Sequence, residues 1–380
     1  MYDVVDYGAM IAYASRTSAY ARTLEARIVP GAVVLDIGAG PGIMALLACR
    51  AGAGKVYAIE SEDVIQLAVQ AAKDNGFSDR IEFIQAMSTE IDLPEKVDGI
   101  VTDIHGTTPL AGKSVVSILD ARDRFLKPGG WIIPERETIS AALISSPALY
   151  DQFFNSWTTE YQFDFKGARA KACNTLRAIR AKEQDLLVAP APWVVLDYKS
   201  LQSINVSSEM SWTIDRAATA HGICVWFDSE TGAGFSFSNL PPSTEQNIYR
   251  QLFLPLQGAI ELSAGDRVQV GLRANFVQVD YVWSWQTRVT DSTGAVKAEY
   301  RQSTFNSLPL SLDRLRKRAD SFVPEPNEDL QIDRRALDLM QQKLALHQIA
   351  DILAKEFPAR FKIRNEALTR AADLAARYSK

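Results

Sequence analysis

The sequence has few cysteines and no long apolar run. Its three cysteines, Cys49, Cys173 and Cys224, lie far apart and lack both metal-site spacing and an even number for disulfide pairing. No stretch approaches the about 18 uncharged apolar residues of a membrane-spanning helix, and the N-terminus does not resemble a signal peptide. We therefore expect a soluble, cytoplasmic protein in a reducing compartment, with no metal site and no membrane partner.

The chain also has little excess charge. It carries 41 Lys and Arg residues against 46 Asp and Glu residues, a net charge of −5, which gives no electrostatic signature of nucleic-acid binding. Hydrophobic residues make up 47% and charged residues 23% of the 380 residues, which excludes a disordered chain and a disulfide scaffold. This length is typical of two or three domains.

Residues 1–137 alternate short apolar runs with helical segments. The apolar runs predict five strands: Ala32–Ile37, Val56–Glu60, Ile81–Ile84, Gly99–Thr102 and Trp131–Ile133. The segments between them predict helices that include Ile43–Ala51 and Asp63–Asn75. Strands interleaved with helices indicate a parallel, doubly wound sheet.

Residues 138–306 change to a period of two. Val268, Val270 and Leu272 alternate with polar or charged residues, which is typical of a half-buried antiparallel sheet. Residues 165–184 interrupt this alternation, and their pattern predicts a helical excursion.

Residues 322–380 form a third region. After the linker Pro324–Asn327, apolar residues recur at helical spacing, and the last predicted helix is Glu366–Tyr378. The small positive charge of this tail does not favour a DNA-binding helix-turn-helix. We interpret it as a helical module that packs on the second region, with a winged-helix peptide binder, which His347–Leu353 faintly resembles, as the alternative.

The segment Val33–Gly42 has the sequence VVLDIGAGPG, in which a buried strand leads into a glycine-rich turn and then a helix. Gly38 and Gly40 let the backbone approach a ligand, and the helix N-terminus presents free N–H groups. The next strand ends at Glu60, whose carboxylate can accept both ribose hydroxyls of a nucleotide, although it could also be a structural helix cap. The motif lacks the GxGxxG spacing of the NAD fingerprint.

These segments resemble the first two motifs of class I S-adenosylmethionine-dependent methyltransferases. Further segments extend the resemblance to the protein arginine methyltransferase family: Tyr7–Tyr20, Leu93–Asp98, Ala121–Pro134 and His221–Asp228. The resemblance covers about residues 3–306 and is specific because the motifs follow the family's order.

The resemblance implies an α/β plus β fold class. It divides the chain into a Rossmann-like S-adenosylmethionine-binding domain (1–137), an antiparallel β-barrel domain (138–306) and the small C-terminal helical module (322–380). It also implies a homodimer through an arm at about 152–185. Exposed aromatic residues often mark interfaces, and this arm contains six: Phe153, Phe154, Trp157, Tyr161, Phe163 and Phe165.

The cofactor implied by the resemblance is S-adenosyl-L-methionine, with S-adenosyl-L-homocysteine as the product. In the family, the arginine at the position of Arg16 binds the methionine carboxylate, a pairing suited to guanidinium. Thr89 replaces an acid that contacts the adenine amino group. The predicted cofactor-binding residues are Met10, Arg16, Asp36, Gly38, Gly40, Glu60, Met87, Ser88 and Thr89.

The acceptor loop departs from the family pattern. Two glutamates normally clamp the substrate guanidinium, but here Asp103 stands at the first position and Gly112 at the second, beside Lys113. An unpaired buried charge costs on the order of 3 kcal/mol, so arginine should bind less well. We therefore predict a small metabolite or a specialised peptide as the acceptor. The alternatives are arginine held by Asp103 alone and a non-catalytic, cofactor-binding scaffold.

Asp103 and His105 are the predicted catalytic residues, since both lie on the loop that follows a strand and both can accept a proton. A histidine base of ordinary pKa would lose activity below about pH 6.5. The alternative for His105 is a hydrogen-bonding role in the loop. Tyr7, Tyr13 and Tyr249 are predicted either to line the acceptor pocket or to pack within the fold.

Overall fold

The computed structural model describes residues 3–154, 157, 163–241 and 248–379. The chain divides into two compact units, Met1–Leu308 and Pro309–Lys380. The further division of the first unit into domains at residue 137 stays a prediction.

A parallel sheet of five strands forms the centre of the N-terminal half. Its strands are β1 (Val33–Ile37), β2 (Lys55–Ile59), β3 (Ile81–Ile84), β4 (Val97–Thr102) and β5 (Leu126–Ile133). The spatial order is β3-β2-β1-β4-β5, with parallel pairing throughout. All five predicted strands are confirmed. Their nearly continuous apolar runs are typical of a parallel sheet that is covered on both faces.

Two helices precede these strands, α1 (Val4–Ala12) and α2 (Ala14–Arg27). Three more lie between the strands: α3 (Ile43–Arg50), α4 (Ile65–Asp74) and α5 (Ser114–Phe125). The strand order places the carboxyl ends of β1, β2 and β4 side by side. Gly38, Glu60 and Asp103 directly follow these three strands, so the fold brings them to one edge of the sheet.

Antiparallel strands make up the second half of the first unit. They are β6 (Arg136–Ile144), β7 (Arg177–Ile179), β8 (Ala191–Asp197), β9 (Val206–Thr213), β10 (Ala218–Gly232), β11 (Phe235–Ser238), β12 (Gln251–Leu262), β13 (Arg267–Val277), β14 (Asp280–Thr290) and β15 (Val296–Ser303). One sheet has the order β7-β12-β10-β6-β8, with β11 on β10, and the other has the order β15-β14-β13-β9. Closure of these sheets into a barrel stays a prediction.

The segment predicted as a helical excursion is helical only in part. It forms α7 (Lys166–Ala172), after which Arg177–Ile179 pairs with β12 as the edge strand β7. The preceding helix is α6 (Pro147–Phe154). Phe154 is buried and Phe153 packs on Phe253, so these two aromatic residues belong to the core of their own chain. Tyr161 lies outside the described residues.

The second unit is helical, as predicted. It contains α8 (Leu312–Arg316), α9 (Glu328–Gln341), α10 (Leu346–Glu356) and α11 (Arg364–Tyr378). The last three helices bury a core of their own, which includes Ile332, Leu339, Leu353 and Leu374. None of the helices in the described part of the chain has the length and apolar character needed to cross a membrane.

Candidate active site

A cavity of about 800 Å³ opens at the carboxyl edge of the parallel sheet. Its walls come from α1, from the segments that follow β1, β2 and β4, and from the segment just before β12. Most of the predicted site residues line it: Tyr7, Met10, Arg16, Gly38, Gly40, Glu60, Met87, Ser88, Asp103, His105 and Tyr249. Local motifs on different strands thus meet in one place.

Three predicted site residues do not line this cavity in the described structure. Tyr13 packs edge-on against Tyr249, a residue that lines the cavity, with ring centroids 6.4 Å apart. Asp36 is buried in β1, and burial raises its pKa to about 7, assisted by Glu60 and opposed by the backbone N–H of Ala45. Thr89 lies beyond Met87 and Ser88 along the same turn.

The glycine-rich turn is shaped by its neighbours. Gly38 has φ +72°, and a Cβ built there would meet Cγ2 of Ile104 at 2.0 Å, so only glycine fits. The N–H of Gly40 donates to Glu60 Oε2 at 3.0 Å, while the other oxygen of Glu60 accepts from the N–H of Glu62 at 2.9 Å. These bonds fix the Glu60 carboxylate at the cavity wall.

Asp103 lines the cavity at the end of β4 and makes several polar contacts. Its carboxylate pairs with the guanidinium Nε of Arg16, and the hydroxyl of Tyr249 lies 2.9 and 2.7 Å from its two oxygens. The Arg16 side chain also donates to the carbonyl of Met10 at 3.3 Å. Arg16 and Asp103 are both almost fully buried, which makes their pairing strong and costly to break.

His105 lies beside Asp103 in a charged environment. Its Nε2 is 3.4 Å from Asp103 Oδ1 and 3.1 Å from Oε1 of Glu137, a fully buried residue of β6. Burial alone would lower the pKa of His105, but Glu137 and Asp103 outweigh it and raise the pKa to about 9. This shift is opposite to the one that burial alone would cause, and it differs from the ordinary pKa near 6.5 assumed in the sequence-based prediction.

Glu137 was absent from the sequence-based predictions. A signal was nevertheless present, since Glu137 shares the inward face of β6 with Ile139, Ala141 and Leu143, all of which are buried. A lone carboxylate at the start of an apolar strand face requires a buried partner. The partner could not be named from the sequence, because 32 positions separate Glu137 from His105 along the chain.

Three comparisons with known proteins place this geometry in a family. Residues 16–135 match the family model described as ribosomal protein L11 methyltransferase. The chain is 30% identical over 315 residues to protein arginine N-methyltransferase 6 of Danio rerio, covering 76% of this chain and 90% of the relative. It is 33% identical over 209 residues to protein arginine N-methyltransferase 1 of Schizosaccharomyces pombe, covering 53% and 60%.

The chain belongs to the protein arginine N-methyltransferase family. It is therefore an S-adenosylmethionine-dependent methyltransferase, as predicted, with S-adenosyl-L-methionine as its cofactor. The fold agrees with a solved structure, the Trypanosoma brucei PRMT1 enzyme–prozyme heterotetrameric complex with AdoHcy. That match has a TM-score of 0.69 at 24% identity and covers 78% of this chain and 96% of the other.

The residues at the cavity suit this cofactor. The glycine turn has no side chain at Gly38 and Gly40, so a ligand can approach its backbone closely. Glu60 presents a carboxylate suited to ribose hydroxyls, and Arg16 presents a guanidinium suited to a methionine carboxylate. Met87 and Ser88 line the part of the cavity at the end of β3, where the adenine is expected.

We predict that Glu60→Gln weakens binding of S-adenosyl-L-homocysteine. Hydrogen bonds to a charged group contribute about 1.5–3 kcal/mol, so the dissociation constant should rise about 10-fold to 100-fold. Titration calorimetry measures this, with Glu62→Gln as the matched control, because Glu62 is exposed and does not line the cavity in the described structure. Equal affinity in both variants would show that the ribose does not bind at Glu60.

Proposed function

We propose that this chain methylates the side chain of arginine in a peptide or protein, with Asp103 as the only carboxylate of the clamp. The observation that carries the proposal is the position of Asp103, which lines the cavity at the end of β4. A guanidinium stays protonated at any relevant pH and is held best by a carboxylate. The names of the matched relatives, which are arginine N-methyltransferases, support the same acceptor.

In this proposal the chain acts by holding and orienting its acceptor. When bound, S-adenosylmethionine supplies an electrophilic methyl group. Asp103 orients the acceptor nitrogen and can take up the proton that this nitrogen releases on methylation. The hydroxyl of Tyr249 lies within hydrogen-bond distance of both oxygens of Asp103 and restrains the carboxylate. Positioning of this kind can supply a large part of the rate enhancement without a strong base.

The proposed clamp lacks its second carboxylate because the acceptor loop has a glycine at that position. Gly112 lines the cavity where the family carries its second glutamate, and Lys113 adds a cation beside it. The N–H of Gly112 donates to Asp280 Oδ1 at 2.7 Å, which ties this end of the loop to the start of β14. We expect weaker arginine binding than a two-carboxylate clamp provides.

A second candidate acceptor is a small metabolite or a specialised peptide that carries no guanidinium. It is supported by the basic residues at the cavity, since Arg16, His105, Lys113 and Arg250 line it together with the carboxylates of Asp6, Glu60 and Asp103. A third candidate is a non-catalytic, cofactor-binding scaffold, which the loss of the second glutamate would also permit.

Radiolabelled S-adenosylmethionine distinguishes the three candidates. It should be offered with arginine-rich peptides and, separately, with small-molecule extracts, using Asp103→Asn as the control that removes the clamp. We expect label in arginine with the native chain and a strong loss in the variant. Label in small molecules alone supports the second candidate, and binding of S-adenosylhomocysteine without any transfer supports the scaffold.

We predict that Gly112→Glu strengthens arginine binding. A Cβ at this position meets no described atom within 4 Å, although φ is +53°, so the residue fits at the expense of about 1–2 kcal/mol of backbone strain. The restored carboxylate should lower KM for an arginine peptide by about 10-fold to 100-fold. Gly112→Gln carries the same strain without the charge and is the matched control. A KM that falls equally in both variants would contradict the charge argument.

We also propose a homodimer formed through residues 152–185. Trp157, Phe163 and Phe165 are 40%, 70% and 39% exposed, and clustered exposed aromatic side chains are typical of an interaction surface. Light scattering should give about twice the mass of 42.0 kDa. Phe163→Glu should shift the protein toward the monomer, whereas a native chain that is monomeric at micromolar concentration would refute the proposal.

A cytoplasmic location belongs to the same proposal. All three cysteines are buried and unpaired, which is typical of a reducing compartment. Burial raises the pKa of Cys224 far above its usual value, so this thiol stays protonated and inert.

A further inference from the structure

Two carboxylates from different elements approach the same nitrogen atom of His105. Glu137 reaches it from β6 at 3.1 Å, and Asp103 reaches it from the His105 loop at 3.4 Å. The side chains of His105, Glu137 and Asp103 are 4%, 0% and 7% exposed, so little water screens their charges. The pair Glu137–His105 thus forms a buried support behind the proposed clamp.

The surroundings of both ring nitrogens favour the protonated form of this ring. Nδ1 of His105 lies 3.4 Å from the carbonyl oxygen of Gly106, while Nε2 lies within ion-pair distance of the two carboxylates but makes no aligned hydrogen bond among the described residues. Each neutral tautomer would direct one lone pair at an oxygen, because it carries hydrogen on a single nitrogen. Only the imidazolium presents an N–H on both sides, and its charge offsets one buried carboxylate.

Other contacts hold this arrangement in place. The hydroxyl of Tyr198 donates to Glu137 Oε2, and the ring of Tyr249 stacks on His105 at 5.5 Å between centroids. The ring of Phe227 meets His105 edge-on at 4.7 Å. The titratable or charged groups around the imidazole are Asp103 on its own loop, Glu137 of β6, Tyr198 after β8, Tyr249 before β12, and Arg16 and Tyr20 of α2 through Asp103.

We propose that Glu137 is a positioning residue that keeps His105 cationic, so that His105 orients and partly neutralises Asp103 instead of accepting a proton. The proposal deepens the proposed function, since it rests on Asp103 as the group that faces the acceptor. It changes the role of His105, which was predicted from the sequence as a candidate base. It also assigns a function to a buried acid outside the acceptor loop.

The charge of His105 can be measured directly by NMR titration of the full chain. Only three histidines are present, and His221→Gln and His347→Gln assign the signals. In the native chain His105 should lose its proton as the pH rises through about 9, in line with its raised pKa. In Glu137→Gln its proton affinity should fall at least tenfold. A native midpoint near 6.5, or an unchanged midpoint in the variant, overturns the proposal.

The matched control is Glu135→Gln. Glu135 lies two residues away, is partly exposed and pairs with Arg27, so its loss should leave the titration of His105 unchanged. Tyr198→Phe is the second test variant if Glu137→Gln does not fold. It keeps the carboxylate, and His105 should therefore remain charged at pH 7.5. A neutral His105 in Tyr198→Phe would contradict the role given to Glu137.

Turnover gives an independent readout once an acceptor is known. The native rate should show no acid limb near pH 6.5. Glu137→Gln should lose at least tenfold in kcat at pH 8 and recover on acidification, as His105 regains its charge. A purely structural defect would not be rescued by acid. Since the titration needs no acceptor, a wrong acceptor leaves that result intact, whereas a wrong role for Glu137 appears in both measurements.

Discussion

The pairing of Asp103 with Arg16 is the interaction on which the acceptor side of this structure depends. Arg16 comes from α2 and Asp103 from the end of β4, and Tyr249 joins them from the segment before β12. A buried ion pair has to be satisfied on every side, because a lone charge in a dry interior is costly. The network therefore fixes the N-terminal helices, the parallel sheet and the antiparallel half relative to this cavity.

The charges of the buried cluster around Asp103 balance when His105 is protonated, as we propose. Arg16 and His105 supply two positive charges, and Asp103 and Glu137 supply two negative ones within the same buried cluster. In that state a cationic acceptor meets a carboxylate whose charge is already compensated by Arg16 and His105, so the positioning of the acceptor gains importance. This balance distinguishes the chain from a site built on two unpaired glutamates.

How far the sequence alone predicts the structure depends on how local each feature is. The glycine turn and Glu60 lie within a short stretch of the chain, and the structure places both at the cavity as the sequence predicted. The ion pair between Asp103 and Arg16 was not predicted, because the two residues are far apart in the sequence. Glu137 and the charge of His105 were missed, because they arise from a contact between β6 and the acceptor loop. Tyr13, Asp36 and Thr89 do not line the cavity in the described structure, and for Tyr13 this agrees with the alternative that it packs within the fold. The edge strand β7 was missed because its hydrogen bonds come from β12.

The contact between Gly38 and Ile104 links the two loops that serve the two substrates. With 2.0 Å between Ile104 Cγ2 and any added Cβ, neither residue can be enlarged unless the other one yields. The start of the acceptor loop is therefore sterically constrained, whereas Gly106 and Gly112 have free space around them among the described atoms. Substitutions at this end of the loop can change the acceptor preference while the glycine-rich nucleotide turn stays unchanged.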